Sequence, residues 1–295
     1  MLSLTLISHR HALKQAIDCV AQFVTEIVFL SMQSTTSVSF VGSGNLAWHL
    51  APALDNAGYT VREVYSRSKK NALALVNKLY QAEVKDDLDF SDSEASIFIL
   101  AVTDDALPEV LQQIVLPDNA ILVHTSGSQP LLILSTAATL NTGVFYPLQT
   151  FTKQKKVDFS EIPLFIECMN LEVEKILLKM AKAISKKVLA IDSSKRMALH
   201  VSAVFASNFT NHMLTISKSI MDISALPYEW LKPLISETIN KSFALGPEAA
   251  QTGPAVRGDL ETLDRHMALL QEDEEIAELY QLISQHIIDS HDPED

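Results

Sequence analysis

The sequence predicts an α/β domain built on a parallel sheet, followed by an all-α domain. Three observations predict it. Short apolar runs alternate with helix-length amphipathic segments from Ser37 to about Asp192, the pattern of repeated strand–helix–strand units. Two of those runs, SIFILAV (Ser96–Val102) and NAILVHT (Asn119–Thr125), are largely apolar, as strands buried on both faces are. From Ser194 onward the periodicity is helical, with no convincing strand.

The elements follow in order. SVSFVG, from Ser37, reads as a strand and Asn45–Ala57 as a helix, with Leu46, Leu50, Ala53, Leu54 and Ala57 on one face. TVREVYS is a second strand and KKNALALVNKLY a second helix. After SIFILAV, Asp104 or Asp105 is placed to cap a helix running to about Val115. NAILVHT, GVFYP and IPLFIE continue the sheet, and the helix EVEKILLKMAKAI leads into KVLAI. Ser194 to about Ile220 reads as one long helix, with Met197, Val201, Val204, Phe205, Asn208 and His212 on a broad face. YEWLKPLISETINKSFAL, LETLDRHMALL and DEEIAELYQLISQHI supply three more helices, punctuated by Gly246-Pro247 and TGPAVRGD. The expected domains are residues 37–192 and 193–295, after an extension at 1–36.

Composition bounds the function. With 295 residues, 47% hydrophobic and 20% charged, the chain is globular with a real core. A net charge of −13 argues against a nucleic-acid partner, which needs a basic surface. Cys19 and Cys168 lie far apart without metal-ligand spacing, which suggests a reducing, cytoplasmic setting. Met1–Ser31 holds apolar pieces interrupted by Arg10, Lys14, Asp18 and Glu26, too broken for a membrane span and without a signal-peptide pattern. It reads as an extension outside the fold; the alternative is an amphipathic helix that packs somewhere.

The chemistry begins at the first strand–helix turn. Gly42-Ser43-Gly44-Asn45-Leu46-Ala47 is G-x-G-x-x-A after a strand and at the start of a helix, the context that makes it a dinucleotide fingerprint. The first glycine permits the turn, the second lets backbone approach a pyrophosphate, and the small alanine lets helix and strand pack closely. The helix N-terminus then offers free N–H groups to phosphate. Where an NAD site carries an acid at the end of the second strand, this chain has Ser66-Arg67-Ser68. An arginine between hydroxyls suits a 2′-phosphate, so the expected cofactor is NADP(H). The expectation is a Rossmann-like nucleotide-binding domain.

In such a sheet ligands sit beyond the carboxyl ends of the strands. Those ends are Val102-Thr103-Asp104, His124-Thr125-Ser126-Gly127-Ser128 and Tyr146-Pro147-Leu148-Gln149. The first set is expected to line the cofactor; His124, Gly127, Tyr146 and Gln149 are expected to face substrate. His124 reads equally well as a capped strand-end histidine. A Ser–His nucleophile is disfavoured because no orienting partner and no G-x-S-x-G pattern are visible. In the helical half, His200 and Asn208 lie eight residues apart, with Asn211 and His212 weaker candidates of the same sort. Arg257 is placed to bind an anionic substrate group or to brace its loop, and Asp259 to cap the next helix. No set of residues has convincing metal-ligand spacing.

The fingerprint, AVTDDAL, HTSGS, YPLQTF, RMALHVSAVFASNFTNHML and TGPAVRGDLETLDRHMALL together resemble the Rossmann-like candidate NADP oxidoreductases that carry a C-terminal helical domain of unknown function. The resemblance spans about Ser37 to Leu270. It implies a nucleotide domain like that of pyrroline-5-carboxylate reductase or ketopantoate reductase, and a helical domain similar to that of 6-phosphogluconate dehydrogenase, which often dimerises. Compared with β-hydroxyacid dehydrogenases, Ser126-Gly127 and Asn208 resemble the Ser-Gly loop and the catalytic asparagine. The family's lysine would fall on Val204, so that acid/base group is missing. Prephenate dehydrogenases carry His-Pro where this chain has Tyr146-Pro147. The expected function is an NADP-dependent oxidoreductase moving hydride to or from a small carbonyl, imine or hydroxy acid, with Ser126, His200 and Asn208 as catalytic candidates. The competing readings are an NADP(H)-binding or sensing protein without turnover, and a prephenate-dehydrogenase-like enzyme. Expected partners are a small-molecule substrate and a second copy of the chain, with neither nucleic acid nor membrane.

Overall fold

The computed structural model describes residues 36–137 and 139–291; the segment read as an extension, Met1–Ser31, lies outside them. β1 (Ser37–Val41), β2 (Thr60–Tyr65), β3 (Glu83–Lys85), β4 (Ile97–Leu100), β5 (Ile121–His124), β6 (Thr142–Pro147), β7 (Leu164–Cys168) and β8 (Val188–Ala190) form one eight-stranded sheet. Its order is β3-β2-β1-β4-β5-β6-β7-β8. The order reverses between β1 and β4, the switch point where open α/β sheets bind ligands. A wholly parallel sheet is corrected at one place: β7 runs antiparallel to β6. Between them lies only the 3₁₀ turn Phe159–Glu161 in place of a crossover helix, so the chain returns in the opposite direction. β3 has no counterpart in the sequence reading because its three residues, Glu-Val-Lys, form a polar edge strand.

α1 (Asn45–Asn56), α2 (Lys69–Val76), α3 (Leu107–Gln113) and α4 (Leu171–Ile184) cover the sheet. Alternation along the strands divides its core in two. Ile97, Ile99 and Val123 pack with Leu50 of α1, Leu75 of α2 and Leu177 of α4. Phe98, Leu100 and Leu122 pack with Leu107 and Leu111 of α3. The aspartate cap expected for α3 is corrected. A 3₁₀ turn, Asp104–Ala106, precedes α3 without a side-chain cap, and the helix ends at Gln113. Asp104 instead accepts a hydrogen bond from the Ser128 hydroxyl.

The described residues divide into two compact units, one reaching Val204 and one beginning at Phe205. α5 (Ser193–Ala203) belongs to the first, and Arg196 explains why. This guanidinium is 1% exposed. Its Nε and Nη2 reach the Glu167 carboxylate of β7 at 3.0 and 2.9 Å. Its Nη1 donates to the carbonyls of Ser126 and Gly127, both at 2.9 Å. The single long helix expected from Ser194 is also corrected. α5 gives way to a π turn at Val204–Phe209 before α6 (Thr210–Ile223). The Thr210 hydroxyl donates to the Phe205 carbonyl five residues back, bracing the wider turn. One unbroken α-helical face therefore does not run from Met197 to His212.

The second unit continues with α7 (Lys232–Leu245), a single helical turn at Pro247–Ala250, α8 (Leu260–Leu270) and α9 (Glu274–Ser290). Asp259 caps α8, accepting from the Thr262 N–H and hydroxyl. Tyr280 of α9 bonds His266 of α8 at 2.7 Å. Met213, Ile216, Leu263 and Ile283 line an apolar cavity of about 310 Å³ between α6, α8 and α9. Large apolar side chains stand open to solvent on this unit, Phe205 at 64%, Trp230 at 66% and Phe243 at 86% exposure. Among the described residues, no helix is long and apolar enough to cross a membrane.

Arg196→Met strands Glu167 as a lone buried charge and is expected to cost about 3 kcal/mol. Arg196→Met combined with Glu167→Leu should recover most of that loss. Urea unfolding followed by circular dichroism reads both; an equal loss in single and double variants would show that the two charges are not coupled.

Candidate cofactor and active site

A cleft of about 530 Å³ opens at the carboxyl ends of β1, β2 and β4, within the size range of small-molecule sites. Gly42 is required there sterically. Its φ is +113°, and a Cβ would stand 2.2 Å from the Ala101 carbonyl oxygen at the end of β4. Gly44 faces open space, with that same oxygen 4.0 Å from where a Cβ would be. It is the N-cap of α1, supplies no side-chain cap, and no acid occupies the first turn. The free N–H groups of α1 thus meet the cleft uncompensated, as an anion site requires. Ser43 Oγ donates to Ser66 Oγ at 2.9 Å, joining the loop to the end of β2. Arg67 and Asn71 line the same cleft, Arg67 as an exposed cation.

Beyond Thr125, which closes that cleft, the chain turns tightly. The Thr125 hydroxyl donates to the Leu100 carbonyl, 3.2 Å away. Ser126 Oγ accepts the N–H groups of Ser128 (3.1 Å) and Gln129 (2.9 Å). Because the Ser128 proton goes to Asp104, Ser126 is the donor in its 3.3 Å contact with Ser128. The Ser126 hydroxyl is therefore committed to its own turn. Against this turn stand Tyr146 of β6 and His200 of α5, with the phenol oxygen 3.0 Å from His200 Nδ1. The rings meet edge to face, centroids 6.0 Å apart. Gly127 makes this possible: a Cβ there would fall 2.4 Å from His200 Nδ1 and 2.8 Å from Tyr146 Cζ.

Residues 37–127 match the family model described as "NADP oxidoreductase coenzyme F420-dependent", and residues 162–287 match DUF2520, a domain of unknown function. A candidate NADP oxidoreductase from Bacteroides fragilis, solved by crystallography, is 40% identical, with a TM-score of 0.80 over 86% of this chain and 98% of that one. The chain belongs to this NADP oxidoreductase family. A protein from Thermotoga maritima shares the fold at 23% identity, with a TM-score of 0.64 over 87% and 99% of the two chains. A reductive aminase from Aspergillus terreus, in complex with NADPH and ethyl levulinate, shares it at 15% identity, with a TM-score of 0.67 over 89% and 97%. A comparison with curated protein sequences finds no match.

The family's nucleotide fits this cleft by the open N-terminus of α1 and the free approach over Gly44. Of the residues expected around it, Gly42, Ser43, Gly44, Asn45, Leu46, Ser66, Arg67, Val102 and Thr103 line the cleft. Ala47 is buried against the sheet, Ser68 caps α2 by accepting the Asn71 N–H, and Asp104 is held by Ser128. Tyr146, Gly127 and His200 come together, while Gln149 lies exposed after β6. Asn208, in the π turn, and Arg257, ahead of α8, are exposed residues of the helical unit. Arg196 and Lys153 were not singled out by sequence. A lone cation carries no periodicity or motif that marks it as buried or cleft-lining. Among the described residues, no group of three or more His, Cys, Asp or Glu side chains is placed to hold a metal ion.

His124 is the last residue of β5. It is fully buried, and its Nδ1 accepts the Ser126 N–H at 3.2 Å, which puts the ring proton on Nε2. That Nε2 is buried with no hydrogen-bond partner among the described residues. Burial, and then the Arg196 charge, push its pKa down to about 4. Between pH 6.5 and 4 the unfolded chain binds a proton that the folded chain refuses. Stability from this residue is therefore complete above pH 6.5 and is lost as pH falls toward 4, by at most about 3 kcal/mol. Urea midpoints between pH 4.5 and 7.5 should show that slope in the native protein and a shallower one in His124→Gln; parallel curves would remove His124 as its source.

Proposed function

We propose that this NADP oxidoreductase reduces a small carbonyl or imine, or oxidises the corresponding hydroxy acid or amine, with Tyr146 as the proton-transferring group and His200 as its partner. The observation that carries the reading is the Tyr146–His200 hydrogen bond, packed on Gly127 one turn beyond the nucleotide cleft. Bound NADP(H) supplies or takes the hydride. Gly42–Leu46 would hold its pyrophosphate, and Ser66 and Arg67 its 2′-phosphate.

The chain's own groups supply the proton. Burial raises the Tyr146 pKa, while the Arg196 charge works against that rise. The phenol stays protonated at neutral pH and is able to donate, and the same guanidinium stabilises the phenolate left behind. His200 is only half-buried, so its ring links the buried phenol to solvent. Ser126 acts on geometry instead, fixing the turn on which both rings rest. Gln149, open after β6, is available to a polar group of the substrate.

The test follows NADPH consumption over a panel of small ketones, with and without amines. Tyr146→Phe should lower kcat about 100-fold while leaving NADPH affinity unchanged. Arg67→Ala should erase a preference for NADPH over NADH of about tenfold or more. An undiminished kcat in Tyr146→Phe would remove the phenol from the reaction.

The exposed Phe205, Trp230 and Phe243 support a second part of the proposal, that the helical unit pairs with another copy of the chain. Sedimentation velocity should return twice 32.6 kDa, and Phe243→Glu should shift the species toward the monomer. A native protein that sediments as a monomer at micromolar concentration would refute it.

A further inference from the structure

The cleft has a second cation besides Arg67, and it comes from the other half of the sheet. Lys153, on the loop between β6 and β7, lines the same cavity as Gly42–Leu46. Its position is built. His49 of α1 donates through Nε2 to the Thr152 carbonyl at 2.9 Å. His49 also stacks on Phe151, and Phe151 on Phe159, each at 5.8 Å between centroids. These contacts tie the two residues just before the lysine to α1, and Phe151 in turn to Phe159 further along the loop. Lys153 Nζ then lies 4.8 Å from the centroid of Trp48, the fourth residue of α1. Lys78 Nζ stands 4.0 Å from the same indole and lies within reach of the Trp48 carbonyl, at 3.3 Å. Lys78 is a spectator to the cleft, whereas Lys153 borders it.

Charge decides what Lys153 serves. The first turn of α1 carries no acidic side chain, so Lys153 has no carboxylate there to pair with. A dinucleotide pyrophosphate brings about two negative charges to that helix end, against roughly half a positive charge from the helix itself. Arg67 and Ser66 stand at the end of β2, where the adenosine ribose of a bound dinucleotide lies. Lys153 stands beside α1 instead. We propose that Lys153 is the counter-ion of the cofactor's pyrophosphate, carried to the N-terminus of α1 by the β6–β7 loop. This rests on the nucleotide orientation given above and adds a residue that the fingerprint does not contain.

Calorimetric titration of the full chain with NADPH and with NADH tests it, for the native protein, Lys153→Ala and Lys153→Arg. Both nucleotides carry the pyrophosphate and only one the 2′-phosphate. Lys153→Ala should therefore weaken both about tenfold and leave their ratio intact, whereas Arg67→Ala changes the ratio. Lys153→Arg should restore most of the affinity, and the melting temperature of the nucleotide-free protein should not move. Unchanged affinities in Lys153→Ala would overturn the assignment, leaving the lysine a brace for Trp48. A loss confined to NADPH would overturn it too, by moving the contact to the 2′-phosphate. Failure of the native protein to bind either nucleotide is a distinct result, because it removes the cofactor reading itself.

Discussion

The buried guanidinium of Arg196 is the constraint around which the sheet's functional edge is arranged. Arginine does not deprotonate in a protein, so once enclosed it must be met by acceptors. Here those acceptors come from separate parts of the chain: a carboxylate on β7 and two carbonyls from the turn after β5. Satisfying one cation therefore fixes where the turn sits, how β7 lies beside it, and where α5 begins. The Tyr146–His200 contact depends on that arrangement, since His200 is one helical turn beyond Arg196. The same charge acts on the electrostatics of His124 and Tyr146. One residue thus couples stability, geometry and proton affinity.

Much of this was legible in the sequence, and for identifiable reasons. Strands buried on both faces leave unbroken apolar runs, so β4 and β5 announced themselves, and the glycine spacing declared the α1 turn because few other residues tolerate it. What escaped was set by non-local partners. β7 reads as a strand, but its direction depends on the missing helix before it, not on its own residues. β3 is too short and too polar to show period-two alternation. Ser126 carries the motif and His200 was found, yet the hydroxyl's commitment to its own turn follows from backbone geometry. Arg196 and Lys153 gain their meaning from groups 29 or more residues away, which a one-dimensional pattern cannot display.

The two units follow different rules of assembly. The sheet encloses its apolar strands between helices, and its interior is complete within one chain. The helical unit caps its helices in the ordinary way, with Asp259 and Asp273 accepting first-turn amides, but leaves large aromatic side chains uncovered. Local helix chemistry is therefore complete there, while the uncovered aromatic side chains leave apolar surface open to solvent.

Trp48 has a consequence of an optical kind. The chain has two tryptophans, and the other, Trp230, is in the helical unit. Trp48 lies under two ammonium groups, one of which borders the nucleotide cleft. An indole's emission colour responds to the field across its ring, and these two charges set that field. Any anion that draws Lys153 aside changes the light Trp48 emits, so the fold carries a built-in spectroscopic gauge of charge at its own phosphate loop.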